Sequence, residues 1–231
     1  MKLENGNIKE SATRRRWGGV RKQKPCCTLS FLAKVAIFLA ILGLFLIFVN
    51  GLHPFLAVSD PVPGGILVIE GWVHDINIEQ TAIKFSAAHD RDVFILSALH
   101  ASGSEREWGR EHSEYIAAKL KRSGVSPERV HLIFCEVSKK DRTYHTAVAL
   151  KSWLQERGIP VDSLNVITMG AHARRSRLLF QKAFGDKVKV GVIPIDDPDH
   201  DSAHWWRSRD GVGQMIYQCF AYIYAKFFFH P

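Results

Sequence analysis

The chain has 231 residues, 46% of them hydrophobic, enough for one sizeable core and an appendage. Its formal charge of +8 resembles a nucleic-acid-binding balance until the charges are located. Residues 1–28 hold eight basic side chains against two acidic ones, whereas beyond Lys34 there are 22 basic and 21 acidic. The domain itself therefore offers no general surface for nucleic acid.

The basic tail, residues 1–28, leads into Leu29 to Val49, which is apolar throughout except for Ser30 and Lys34. Its length matches the roughly 20 residues of a spanning helix, and a buried core helix is rarely apolar on every face. The positive-inside bias keeps the tail in the cytoplasm and puts residues 65–231 across the bilayer. A cleaved signal is the competing reading, with Ala57-Val58-Ser59 as a small-x-small site. The apolar run exceeds the ~7–15 residues of a signal core, so an uncleaved anchor is expected. Cys26 and Cys27 sit at its cytoplasmic edge, where reversible lipidation is possible in a eukaryote.

Asn50 to Gly65 contains three prolines and three glycines and reads as a linker over residues 50–64 that lifts a domain off the membrane. Beyond it, short apolar runs alternate with helical patterns. Strands are expected at Gly65–Glu70, Asp92–Ser97, Val130–Cys135, Asn165–Met169 and Val188–Ile193. Helices are expected at Ile76–His89, Glu105–Lys121, Thr146–Glu156 and Ala173–Phe184. Continuous apolar strands between amphipathic helices predict an α/β fold with a mostly parallel five-stranded sheet covered on both faces. The stretch Gly213–Phe229 carries seven aromatics and is expected to dock as a last core helix, with the membrane interface as the alternative. Cys135 and Cys219 read as buried small hydrophobes, although they could pair in an oxidising compartment.

In open parallel sheets, ligands bind beyond the carboxyl ends of the strands. Glu70-Gly71-Trp72 follows the first strand, Ser97 to His100 the second, and Asp141 to His145 the third. Gly170-Ala171-His172 with Arg175 follows the fourth, and Asp196 to Asp201 the fifth. His172 and Arg175, three apart at a helix start, face the same way, and the helix dipole there favours an anion. Arg142 and Arg175 can clamp a phosphate or carboxylate through fork geometry, with Thr143 as an N-cap or ligand contact. His172 is the candidate general acid or base, and Glu70, at the end of a buried strand, is either a second one or a satisfied structural carboxylate.

The loop Asp196–Asp201 with His200 and His204 matches no calcium or zinc spacing and reads as solvated. No metal site is expected, and no cofactor is identified. Trp205-Trp206-Arg207 reads as packing. Glycine-rich dinucleotide, P-loop, zinc-peptidase and nucleophile-elbow motifs are all absent from the sequence.

Several of these features occur together in one family. A basic leader and anchor precede a strand ending in Glu70-Gly71, Arg142-Thr143-Tyr144 opens a helix after the third strand, and His172-x-x-Arg175 follows the fourth. Over about residues 62–229 the chain resembles the bacterial SanA/YdcF/ElyC-like family. The family usually continues its Arg-Thr element with Glu-Asn, where this chain has His145 and Thr146, and has a glycine-rich run where this chain has Glu70-Gly71-Trp72.

The resemblance implies a Rossmann-like α/β/α domain tethered to the bacterial inner membrane, and a role in the envelope barrier and cell-wall or lipid-carrier metabolism. The expected partner, besides the lipid bilayer around residues 29–49, is a phosphorylated envelope intermediate, either lipid-linked or free. Arg142, Thr143 and Arg175 would bind it, while Glu70 and His172 handle protons. The alternatives are a non-catalytic envelope interaction module and a protein that binds a nucleotide-like cofactor.

Overall fold

The computed structural model describes residues 30–74, 78, 80–81, 91–99, 104–136 and 140–231. The basic tail with Cys26 and Cys27, most of the helix expected over residues 76–89, and His100 lie outside them. The first helix, α1, covers Phe31–Leu56 and is long and apolar enough to cross a membrane. It continues past Val49 and through Pro54, so Asn50–Leu56, expected as linker, is helical. Packing overrides the proline signal here. Leu52 and Leu56 are buried with Trp205 and Met215, and the Trp205 indole donates to the Val49 carbonyl at 3.2 Å.

The rest of the expected linker is strapped to the domain. Asp60 forms an antiparallel bridge with Val192. The buried Asn165 side chain accepts from the Val62 N–H at 2.8 Å and donates to the Val62 carbonyl at 2.9 Å. Gly191 leaves room for this clamp, since a Cβ there would lie 2.2 Å from Asn165 Oδ1 and 2.6 Å from the Val62 nitrogen. Asn165→Ala should cost about 1–3 kcal/mol by stranding the Val62 backbone groups. Urea unfolding of the two proteins checks this, and a loss below about 0.5 kcal/mol, the scatter of ordinary surface changes, would count against the clamp.

The sheet consists of β1 (Ile66–Glu70), β2 (Val93–Leu99), β3 (Val130–Glu136), β4 (Ser163–Met169) and β5 (Lys189–Ile195). Its order is β3-β2-β1-β4-β5, and every pairing is parallel. Each strand overlaps its expected segment, with ends shifted by one or two residues. Side-chain alternation splits the core into two layers. Leu67, Ile69, Val93 and Ile95 face Ile116 and Leu120 of α2 (Ser104–Arg122). Val68, Phe94 and Val166 face Leu150 and Leu154 of α3 (Arg142–Glu156) and Phe180 of α4 (Ala173–Phe184). The result is a Rossmann-like α/β/α arrangement, with both sheet faces covered as continuous apolar strands require.

The chain ends in α5, Arg209–Phe227. One face docks through Met215, Gln218 and Ala225, but Tyr217, Phe220, Tyr224, Phe227 and Phe228 are exposed. The expectation of a fully docked core helix thus holds for one face only. Trp205 is buried as expected, while Trp206 is exposed. Nor is the acidic loop fully solvated. Asp197 is buried, accepts from the Asp199 N–H at 3.0 Å and receives the Gln214 side chain, and the His200 side chain is buried beside it. Cys135 and Cys219 are free thiols, each only partly buried.

Candidate functional site

The chain runs outward from β1 through β2 to β3 on one side and from β4 to β5 on the other. The crevice created by such a reversal opens at the carboxyl ends of the two central strands. Glu70 is the last residue of β1. At the end of β4, Gly170 takes φ +34°, a left-handed turn that costs glycine little. The short 3-10 turn Gly170–His172 follows and delivers His172 to the N-cap of α4. Glu70 and His172 therefore flank the reversal point, each buried.

Between them runs a chain of hydrogen bonds. The Ser176 hydroxyl donates to Glu70 Oε2 at 2.8 Å. Ser176 Oγ also meets His172 Nδ1, and the Thr168 hydroxyl lies 3.3 Å from that nitrogen. On the far side of the imidazole, Arg175 Nη2 contacts Nε2. A guanidinium only donates, so Nε2 must present its lone pair and the proton must reside on Nδ1. Nδ1–H then points at Ser176, whose own proton goes to Glu70. This order fixes the tautomer as neutral Nδ1–H imidazole. Trp72 packs edge-on against the ring, with centroids 4.7 Å apart.

The electrostatics agree with that order. Burial alone would push the Glu70 carboxyl up, but the positive charge His172 takes up in acid, with hydrogen bonds from His172, Thr168 and Ser176, outweighs it and lowers it to about 2. His172 is lowered, first by burial and then by the Arg175 and Arg142 guanidinium groups, against the opposing pull of Glu70. Burial also lowers Arg175, while Glu70 raises it. A guanidinium remains charged under such shifts. At neutral pH the site is thus carboxylate, neutral imidazole and guanidinium in series.

All five residues singled out from the sequence, Glu70, Arg142, Thr143, His172 and Arg175, line one cavity of about 1030 Å³. Thr143 does not cap α3, because the N-cap is Asp141, in the left-handed region at φ 52°. Thr143 is instead the second helical residue, buried, with its carbonyl accepting the Thr146 hydroxyl at 3.0 Å. The tight turn at Asp141 is what turns Lys140, Arg142 and Thr143 toward the cavity. Gln218 of α5 braces Arg175 by accepting from Nε at 3.2 Å.

The cavity is two-sided in character. Glu70, His172, Arg142 and Arg175 form a polar end, while Trp108, Leu179, Tyr224, Ala225 and Phe229 supply apolar wall. Ser176, Thr168, Gln218 and Trp72 were not anticipated as part of the site. Ser176 had a signal, since it stands four residues after His172 on one helix face. Thr168 and Gln218 had none, because their roles depend on packing between distant elements.

Among the described residues, no group of three or more His, Cys, Asp or Glu side chains is placed to hold a metal ion. No family model matches the chain, and no curated protein matches it.

Proposed function

We propose that this chain is a membrane-anchored protein of the bacterial envelope, similar to the SanA/YdcF/ElyC-like proteins, which binds and processes a phosphorylated, lipid-linked envelope intermediate. The basic leader argues for a cytoplasmic N-terminus, with the domain outside the inner membrane. One observation carries the ligand class: Arg175 is a largely buried cation at the reversal point of the sheet, held toward a cavity with an apolar wall. A phosphate fits the cationic end, and an apolar tail fits the other.

The hydrogen-bond order supports a division of roles. Arg175, Arg142 and the Thr143 hydroxyl bind the anion. As Arg175 turns from His172 to the phosphate, it releases the Nε2 lone pair. His172 then becomes a base whose proton on Nδ1 is held by Ser176 and Glu70. Base strength is thereby coupled to ligand binding, which protects the resting site from idle proton transfer. Glu70 orients this relay and balances the Arg175 charge.

Calorimetric titration of the full chain in nanodiscs tests the reading with farnesyl diphosphate, farnesyl phosphate, inorganic pyrophosphate and ADP as probes. The farnesyl phosphates should bind best, since they use both ends of the cavity. Arg175→Ala should weaken that binding about 30-fold or more, the equivalent of roughly 2 kcal/mol for losing one partner of a buried charged contact. Unchanged affinity in Arg175→Ala would remove the clamp, and preference for ADP would move the protein to nucleotide-like ligands. Phosphate release that His172→Gln abolishes without loss of binding separates processing from binding alone.

A further inference from the structure

One face of the domain is apolar and has no protein partner among the described residues. On α5, Ile216, Tyr217, Phe220, Ile223, Tyr224 and Phe227 are exposed, with Phe220 69% accessible. Their spacing follows a single helical stripe, opposite the docked face of Met215, Gln218 and Ala225. Scattered exposed apolar residues are ordinary, but a continuous, largely aromatic stripe along about three turns is not.

Three observations identify what covers it. First, α1 is long and apolar enough to cross a membrane, and its last turns, through Val49, Leu52 and Leu56, share a buried cluster with Met215, Cys219 and Tyr222 of α5. Second, Phe55 of α1, itself exposed, meets Tyr222 on the docked side of α5 edge-on at 5.8 Å, so the end of the apolar helix packs directly on α5. Third, a cation borders the stripe, as cations do on helices that lie in a lipid interface. Lys226 stands 5.4 Å from the Phe227 ring centre, and at the end of α1 a second cation, Arg174, lies 4.0 Å over the Phe55 ring. Basic side chains can extend to anionic headgroups while their stems stay apolar, and tyrosines favour the same depth.

We infer that α5 lies along the surface of the bilayer that α1 enters, with its aromatic stripe sunk into the boundary between headgroups and acyl chains. The cavity shares this edge. Tyr217 and Tyr224 belong to the exposed stripe and also line the cavity. Seating the stripe therefore opens the cavity mouth onto lipid, and an amphiphile reaches the polar end without crossing water. The inference stands on the helix face and not on the identity of the ligand, so it survives if the phosphate reading fails.

The test uses the full chain in vesicles of phosphatidylethanolamine and phosphatidylglycerol, with the four native cysteines replaced by serine. An environment-sensitive fluorophore is attached at Phe220→Cys, or at Glu156→Cys as the control. Glu156 is exposed at the far end of α3, which runs back from the cavity edge of the sheet. The label at 220 should be quenched by nitroxide lipids and lose accessibility to iodide, whereas the label at 156 should behave in the opposite way. Adding Phe227→Ser and Phe228→Ser to the 220-labelled protein should restore iodide access while the thermal midpoint of the domain stays unchanged. Equal iodide access at 220 and 156 would overturn the inference. So would protection at 220 that disappears when the protein is diluted in excess lipid, because the stripe would then be covered by a second copy of the chain.

Discussion

Glu70→Ala should destabilise the domain by about 3–5 kcal/mol, the usual cost of removing one partner from a buried ionic arrangement. The Glu70 side chain is 3% exposed and within 3.4 Å of His172 Nδ1. Its loss strands the Ser176 hydroxyl and removes the negative charge that offsets the largely buried Arg175 guanidinium. Glu70→Gln preserves the shape and one acceptor for Ser176, so it should cost less than the alanine variant. Chemical unfolding followed by tryptophan fluorescence measures both. A loss below about 1 kcal/mol for Glu70→Ala, no more than an average substitution, would show that Glu70 and Arg175 are not energetically coupled.

The same variant separates structure from binding. Removing the carboxylate also removes its repulsion of an incoming anion and its competition for Arg175. Glu70→Ala should therefore bind farnesyl diphosphate more tightly while folding less stably. A residue that served packing alone would lower stability without raising affinity.

Much of this site was legible because parallel sheets write themselves plainly. Strands buried on both faces appear as unbroken runs such as Ile66 to Ile69, and the residue that breaks each run marks the cavity edge. Glu70 breaks its run directly, whereas Arg142 and His172 are legible in the segments that follow the third and fourth strands. What was not legible depends on contacts between distant elements. The α1 helix crosses Pro54 because Trp205 and Met215, some 150 residues later, bury its last turns. Burial of Asp197 depends on Gln214, and the tautomer of His172 depends on Arg175, whose rotamer no spacing rule specifies. The aromatic run at the carboxyl end showed its composition in sequence, but its division into a docked and an exposed face follows from the helix phase set by Met215, Gln218 and Ala225.

Acid should unfold the domain in two stages, and His172 should account for part of the first. Its ordinary value is 6.5 and the folded site lowers it, mainly through burial and then through Arg175 and Arg142. As pH falls below 6.5, the unfolded chain takes up the proton first, so stability declines until the folded-state value is reached. The slope from this one group is at most about 1.4 kcal/mol per pH unit. Glu70 acts lower. Its carboxyl is held at about 2 against an ordinary 4.5, so the stability it contributes is complete above 4.5 and is lost as pH falls from there toward 2. Both slopes have the same sign, and both fade above pH 7. His172→Gln cannot take up a proton, so the stability difference between wild type and this variant should narrow as pH is lowered from 7 to 5. A difference that stays constant over that range would mean His172 is not held neutral by its surroundings. Saturating farnesyl diphosphate should delay the first stage. With the phosphate anion beside the ring and Arg175 turned away, His172 rises toward its ordinary value, and the folded state no longer resists the proton. Proton uptake on binding, measured as a dependence of the calorimetric heat on buffer ionisation enthalpy, should then appear below pH 6.5 and be smaller in His172→Gln, where only the ligand's own phosphate ionisation remains.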